Sequence, residues 1–120
     1  MRLILSTILA VFCSASHVAA QDVSAGTRGE LRVLDKLTGT VTDLSLQVGQ
    51  TSNLGYLEVT LVQCRYPTDN PSGDAFAEVV VFYRDDDAPS FAGWMLASAP
   101  ALNAMDHPRY DVWPLRCMTS

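Results

Sequence analysis

An all-β domain closed by one disulfide is predicted by three observations: short runs in which apolar and polar residues alternate, turn residues between those runs, and two cysteines left in an exported chain. The architecture expected is a small antiparallel β-sandwich or partly open barrel with at most one short helical turn. No long stretch carries the 3.6-residue apolar period of an amphipathic helix, and there is no internal repeat, coiled coil or low-complexity tract.

The chain is expected to open on a leader. Met1-Arg2 is a short positive start, Leu3 to Phe12 is apolar apart from Ser6 and Thr7, and Val18-Ala19-Ala20 offers the small residues of a signal-peptidase site. Residues 1–20 are therefore expected to be a signal peptide, with Gln21 as the mature N-terminus. A retained anchor would need roughly 20 consecutive apolar residues, and Ser14 and Ser16 break the run. Cys13 follows Val11-Phe12 rather than the small residue of a lipobox, so it is expected to leave with the leader.

Residues 21–30 are polar and rich in Gly, Ser and Thr, the composition of a flexible tail, and residues 31–120 are expected to form a single domain. Leu31-Arg32-Val33 begins an alternation, Thr38-Gly39 supplies a turn, and Leu44, Leu46 and Val48 recur against Asp43, Ser45 and Gln47. These spacings predict a hairpin with one buried face. Leu57, Val59 and Leu61 make a third strand, and Arg65 to Asp74, with Pro67, Pro71 and Gly73, reads as a loop. Phe76 to Arg84 is apolar on both faces at its centre, Val79 to Tyr83, as the middle strand of a sheet should be. Asp85-Asp86-Asp87 marks a solvated tip, Phe91 to Ala97 a fifth strand, and Tyr110 to Leu115 a last one, which Pro114 assigns to an edge or brings to an end. Ala99 to Met105, rich in Ala and Leu with Pro100 near its start and Pro108 beyond its end, has room for one helical turn.

Loss of the leader removes one cation, Arg2, and takes the net charge from −5 to −6. About 100 residues make one domain with a modest core. Without a cluster of Lys and Arg, the acidic chain is unsuited to nucleic acid or anionic lipid, both of which need positive charge. In an oxidising compartment Cys64 and Cys117 are expected to pair, since neither has CxxC spacing or a neighbouring histidine that would suggest metal or thiol chemistry.

Several strings resemble a known family: Leu34-Asp35-Lys36 with Thr38-Gly39, then Phe91-Ala92-Gly93-Trp94-Met95 running on to Ala104, and His107-Pro108-Arg109-Tyr110-Asp111-Val112-Trp113 ending at Cys117. They are similar to exported proteobacterial proteins grouped as domain of unknown function 2155. The resemblance spans Leu31 to Cys117 and implies a periplasmic location; it implies no activity, cofactor or ligand.

The chemistry must come from the residues. His107 is the sole histidine after the leader, with Ser98 before it and Asp111 after, but no G-x-S-x-G elbow surrounds Ser98, and Ala101 stands where an S-x-x-K lysine would be. The plain alternative for His107 is a turn residue, held extended by Pro108, whose ring packs or hydrogen-bonds at the sheet end. Asp85-Asp86-Asp87 is contiguous, whereas a calcium loop spaces its ligands alternately. Asp106 with Asp111 is a carboxylate pair that chance alone supplies among thirteen acidic residues. No catalytic residue, metal or cofactor is therefore assigned.

The C-terminal third holds Phe91, Trp94, Met95, Tyr110 and Trp113, including both tryptophans of the chain. They could be core, but Trp, Tyr and Arg are also the commonest anchors of binding surfaces. The sequence thus nominates Trp94, Asp106, His107, Arg109, Tyr110 and Trp113 as a binding set, with Arg109 suited to a carboxylate or an aromatic ring. The first hairpin is read as scaffold. On this reading Arg109→Ala and His107→Ala leave stability nearly unchanged, and Trp113→Ala unfolds the domain if that ring is core. The function expected is a periplasmic, non-enzymatic binding or structural module that meets an envelope protein, peptide or glycan. A small hydrolase using Ser98 and His107, or an inhibitor or lectin-like binder, are the alternatives.

Overall fold

The computed structural model describes residues 22–119. The expected signal peptide with its expected cleavage after Ala20, and Cys13, lie outside these residues. Eight strands follow in order: β1 (Val23–Ala25), β2 (Arg28–Asp35), β3 (Val41–Gln47), β4 (Thr51–Leu54), β5 (Leu57–Pro67), β6 (Phe76–Tyr83), β7 (Phe91–Leu96) and β8 (Tyr110–Met118). A single 3-10 turn, Pro100–Asn103, lies between β7 and β8, where one helical turn was expected.

The strands form two antiparallel sheets. In the first, β6 sits between β5 and β7, and the eleven-residue β5 pairs with β4 along its first half and with β1 along its last residues. The second sheet has the order β3-β2-β8. The predicted hairpin is β2–β3, with Leu31 opposite Leu44 and Gly29 opposite Leu46 on the inner face, and Arg32 opposite Asp43 on the outer. The predicted middle strand is β6.

The period-two pattern sets which side chains are buried. Leu31, Val33 and Leu46 from the second sheet meet Leu57, Val59, Leu61, Val79, Val81 and Met95 from the first, all of them fully buried. Each such side chain stabilises the fold by roughly 1.5–3 kcal/mol relative to exposure. Cys64 on β5 and Cys117 on β8 form the expected disulfide across the two sheets, with Cα atoms 5.6 Å apart. Gly29 lies against it: a Cβ at that position would come within 2.9 Å of both the Cys64 sulfur and Leu61. Absence of a side chain is what lets β2 approach the bridge.

Three expectations change. The stretch read as a flexible tail, residues 21–30, contains β1, paired with Arg65, Tyr66 and Pro67, and the first residues of β2. Small polar residues are compatible with an edge strand whose backbone hydrogen bonds are supplied by a longer partner. For the same reason β5 runs on to Pro67 into what was read as loop, and Thr51–Leu54, not assigned as a strand, pairs with Leu57 to Thr60. Pro114 does lie on an edge strand, yet β8 continues past it to Met118. Leu31 pairs with Pro114 and Glu30 with Arg116, so Leu115 is the extra residue of a bulge.

Candidate binding site at one end of the sandwich

Four chain segments meet where β6 ends, β4 turns into β5, the β2–β3 hairpin turns, and the chain enters β8. Gly55, at a φ of 57°, makes the β4–β5 turn, and a side chain there would come within 2.9 Å of the Tyr110 hydroxyl beneath it. The next residue, Tyr56, is half exposed, at 50%. Its carbonyl accepts the amide of Arg84 at 2.8 Å. Arg84 has a φ of 55°, the one residue other than glycine with positive φ among the described residues.

His107 organises the entry to β8. Its Nδ1 accepts the amides of Arg109 at 3.0 Å and Tyr110 at 3.2 Å, so this atom carries no proton in the arrangement. The imidazole stacks, tilted, 4.5 Å from the Tyr83 ring, and its carbonyl accepts from Lys36 Nζ at 2.6 Å. Arg109 in turn grips Asp35 with two contacts, Nη2 to Oδ2 at 3.1 Å and Nε to Oδ1 at 3.4 Å. Asp35 also caps its own turn by accepting the amides of Leu37 and Thr38. The Arg109 guanidinium, followed by these amides, holds the Asp35 carboxyl below its ordinary pKa. Asp35 likewise holds Arg109 above its own.

The result is an aromatic and cationic cluster. The Arg84 guanidinium carbon lies 4.4 Å from the Tyr56 ring centre and 5.2 Å from that of Tyr83. Arg109 lies 5.2 Å from Tyr56 and 5.2 Å from Tyr110. Tyr56 thus has two guanidinium groups within cation–π distance of its ring. Two hollows meet at Gly55: a cleft of about 270 Å³ bounded by Val33, Asp35, Thr40, Thr42 and Tyr110, and a depression of about 400 Å³ bounded by Asn53, Tyr56, Glu58, Arg84 and Asp85. A larger groove, about 660 Å³, runs past Pro71 and Leu115 to Thr119, away from this cluster. The cation bordering it, Arg116, pairs with Glu30 at 3.0 Å.

A family model described as "Uncharacterized protein conserved in bacteria (DUF2155)" matches residues 29–117, which include every residue of this cluster and both disulfide cysteines. The chain belongs to the DUF2155 family. A curated relative, "Uncharacterized protein RP359" of Rickettsia prowazekii (strain Madrid E), is 28% identical over 94 residues, covering 76% of this chain and 61% of the relative. The chain therefore spans about three-fifths of that relative's length. No solved structure matches it.

Of the six residues nominated from sequence, this DUF2155 chain brings together three: His107, Arg109 and Tyr110. Tyr110 is 3% exposed and acts as a floor rather than a contact. Trp94 faces outward on the first sheet, opposite Glu78, with Arg65 5.5 Å from its ring. Trp113 faces outward on the second sheet, opposite Arg32. The tryptophans therefore lie half buried on opposite faces of the sandwich and share neither a core nor a surface. Asp106 is exposed and makes no side-chain hydrogen bond or ion pair among the described residues. Ser98 donates its hydroxyl to Asp74 at 2.7 Å, and no hydrogen bond joins it to His107. Among the described residues, no three His, Cys, Asp or Glu side chains are placed to hold a metal ion, and no helix is long and apolar enough to cross a membrane.

Sequence reasoning missed Tyr56, Tyr83, Arg84 and Asp35. A partial signal was present: Gly55-Tyr56 follows Leu54 and precedes an alternating strand, as a hairpin turn would. Nothing local, however, shows that Arg84 meets that turn from 28 residues away.

Proposed function

We propose that this protein is a non-catalytic binding module of the bacterial cell envelope, exported to the periplasm through a cleavable leader, and that the Tyr56, Arg84 and Arg109 end is its recognition surface. The observation that carries the reading is Arg84. It occupies a backbone region that residues with side chains rarely adopt, it lies over two tyrosines, and it forms no salt bridge among the described residues although Asp85, Asp86 and Asp87 follow it. A cation held in place and left without a carboxylate is a group prepared for a partner. Non-catalysis is supported by the engagement of the two groups a hydrolase would use. The Ser98 hydroxyl is spent on Asp74, and His107 Nδ1 on two backbone amides.

Affinity capture tests this reading. Processed protein immobilised and exposed to periplasmic extract should retain a defined protein, peptide or glycan that a Tyr56→Ala/Arg84→Ala variant does not. Identical retention by both would move the recognition surface elsewhere. Cell fractionation that leaves the chain in the cytosol with residues 1–20 intact would remove the envelope reading.

A further inference from the structure

The depression beside Tyr56 has charges of both signs on its rim. Arg84 supplies the positive one, and Glu58 and Asp85 the negative ones. Neither carboxylate forms a salt bridge or a side-chain hydrogen bond among the described residues, and Arg84 forms no salt bridge. Surface charges of opposite sign that border one hollow would ordinarily be expected to collapse onto each other. Here the rings prevent it: Tyr56 and Tyr83 hold the guanidinium over their faces, and the Arg84 amide is fixed to the Tyr56 carbonyl. Arg109, on the same ring, is already neutralised by Asp35.

Resting on the binding-module reading, we propose that this depression takes a small zwitterion, the free amino acid or short peptide class, with its carboxylate on Arg84 and its ammonium at Glu58 and Asp85. Charge selects this chemistry over its rivals. Phosphate would bring further negative charge against Glu58 and the Asp85-Asp86-Asp87 tip. A sugar acid would satisfy Arg84 but leave both carboxylates unmatched. A purely cationic ligand would meet Arg84 itself. Guanidinium offers a planar pair of donors that a carboxylate accepts side by side, and the Tyr56 edge gives the body of the ligand an apolar wall.

The test is a titration of the processed protein, followed by backbone amide NMR, with alanylalanine, its N-acetyl form, its C-terminal amide, inorganic phosphate and glucuronate. Alanylalanine should give saturable shifts centred on Tyr56, Glu58, Arg84 and Asp85. Either blocked dipeptide should bind at least tenfold more weakly, and phosphate and glucuronate should give no saturable shift. Arg84→Gln should lower dipeptide affinity at least tenfold and abolish discrimination against the amide, while Glu58→Gln should reduce discrimination against the N-acetyl form. An unchanged spectrum away from the site verifies that each variant is folded. No saturable shift with alanylalanine, equal binding of the blocked forms, or phosphate or glucuronate binding as well as the dipeptide would each overturn the proposal. If the dipeptide fails while periplasmic capture still depends on Tyr56 and Arg84, the ligand class is wrong and the module reading stands. If the dipeptide binds and capture ignores the variants, the reverse holds.

Discussion

Replacing Cys64 and Cys117 together by alanine tests how much of this fold rests on one covalent link. The bridge joins β5 of one sheet to β8 of the other across a separation of 53 residues. In the chain-entropy treatment, closing a loop of that length restricts the unfolded chain enough to contribute about 4 kcal/mol. That is a large share of the ~5–15 kcal/mol available to a domain. Both cysteines are buried, at 1% and 7% exposure, so lost packing adds to the penalty. Alanine avoids burying the hydroxyls that serine would introduce. Urea denaturation followed by tryptophan fluorescence is the assay, since Trp94 and Trp113 report on the outer faces of different sheets. With a urea dependence of roughly 1–3 kcal/mol per molar, the midpoint should fall by more than about 1 M. Dithiothreitol should lower the wild-type midpoint similarly and leave the variant unaffected. A midpoint lowered by less than about 0.5 M, which that dependence converts to under roughly 1.5 kcal/mol, would show that the core alone holds the sheets together.

Three further outcomes follow from particular contacts. His107→Ala removes the acceptor of two amides, and a buried donor left unsatisfied costs roughly 1–3 kcal/mol; the melting temperature should drop clearly, with partial recovery in His107→Asn, and an unchanged value would return His107 to the class of free surface residues. Gly29→Ala drives a methyl group to within 2.9 Å of the Cys64 sulfur and Leu61, an overpacking worth roughly 1–3 kcal/mol; thermal melts indistinguishable from wild type would show that β2 can shift freely. Asp35 has a carboxyl pKa depressed in the fold, first by Arg109, so the stability it contributes is present above the unfolded carboxylate value near 4 and is lost as pH falls through the lower folded value. Acid should therefore lower the melting temperature of wild type more than that of Asp35→Asn below about pH 4, and parallel pH profiles for the two proteins would refute the pairing.

The His107 outcome decides between two readings of the sequence. As a member of an exposed binding set it would be removed with little loss of stability; as a turn residue at the sheet end its ring would pack or hydrogen-bond. The structure makes it the acceptor that holds the entry to β8. Arg109 is changed likewise: two contacts to Asp35 tie its loop to the β2–β3 turn, so its substitution is expected to cost stability as well as binding. Trp113 moves the other way. Half buried on an outer face, it should lose less on substitution by alanine than a core ring would.

Local pattern was enough for much of the fold. Alternation along Leu31 to Leu46 and Leu57 to Leu61 determined strands and their buried faces, because side chains on a strand point to opposite sides whatever the partner is, and the doubly apolar Val79 to Tyr83 determined the middle strand; Val48, expected on the buried face, lies beyond the end of β3 and is 40% exposed. Proline in β8 left that strand an edge or an end, because it removes a ladder donor, and of the two the fold takes the edge. The pairing of Cys64 with Cys117 followed from there being two cysteines in the described domain. Tertiary structure alone decided the rest. Val23–Ala25 and Thr51–Leu54 are strands because the long β5 offers them a partner, which no property of those short polar segments encodes. Trp94 and Trp113 lie on opposite faces because their strands belong to different sheets, and composition carries no record of sheet assignment. The candidate site is legible least of all. Asp35, Tyr56, Arg84 and Arg109 come from four separate turns, and only the packing of two sheets brings those turns to the same end.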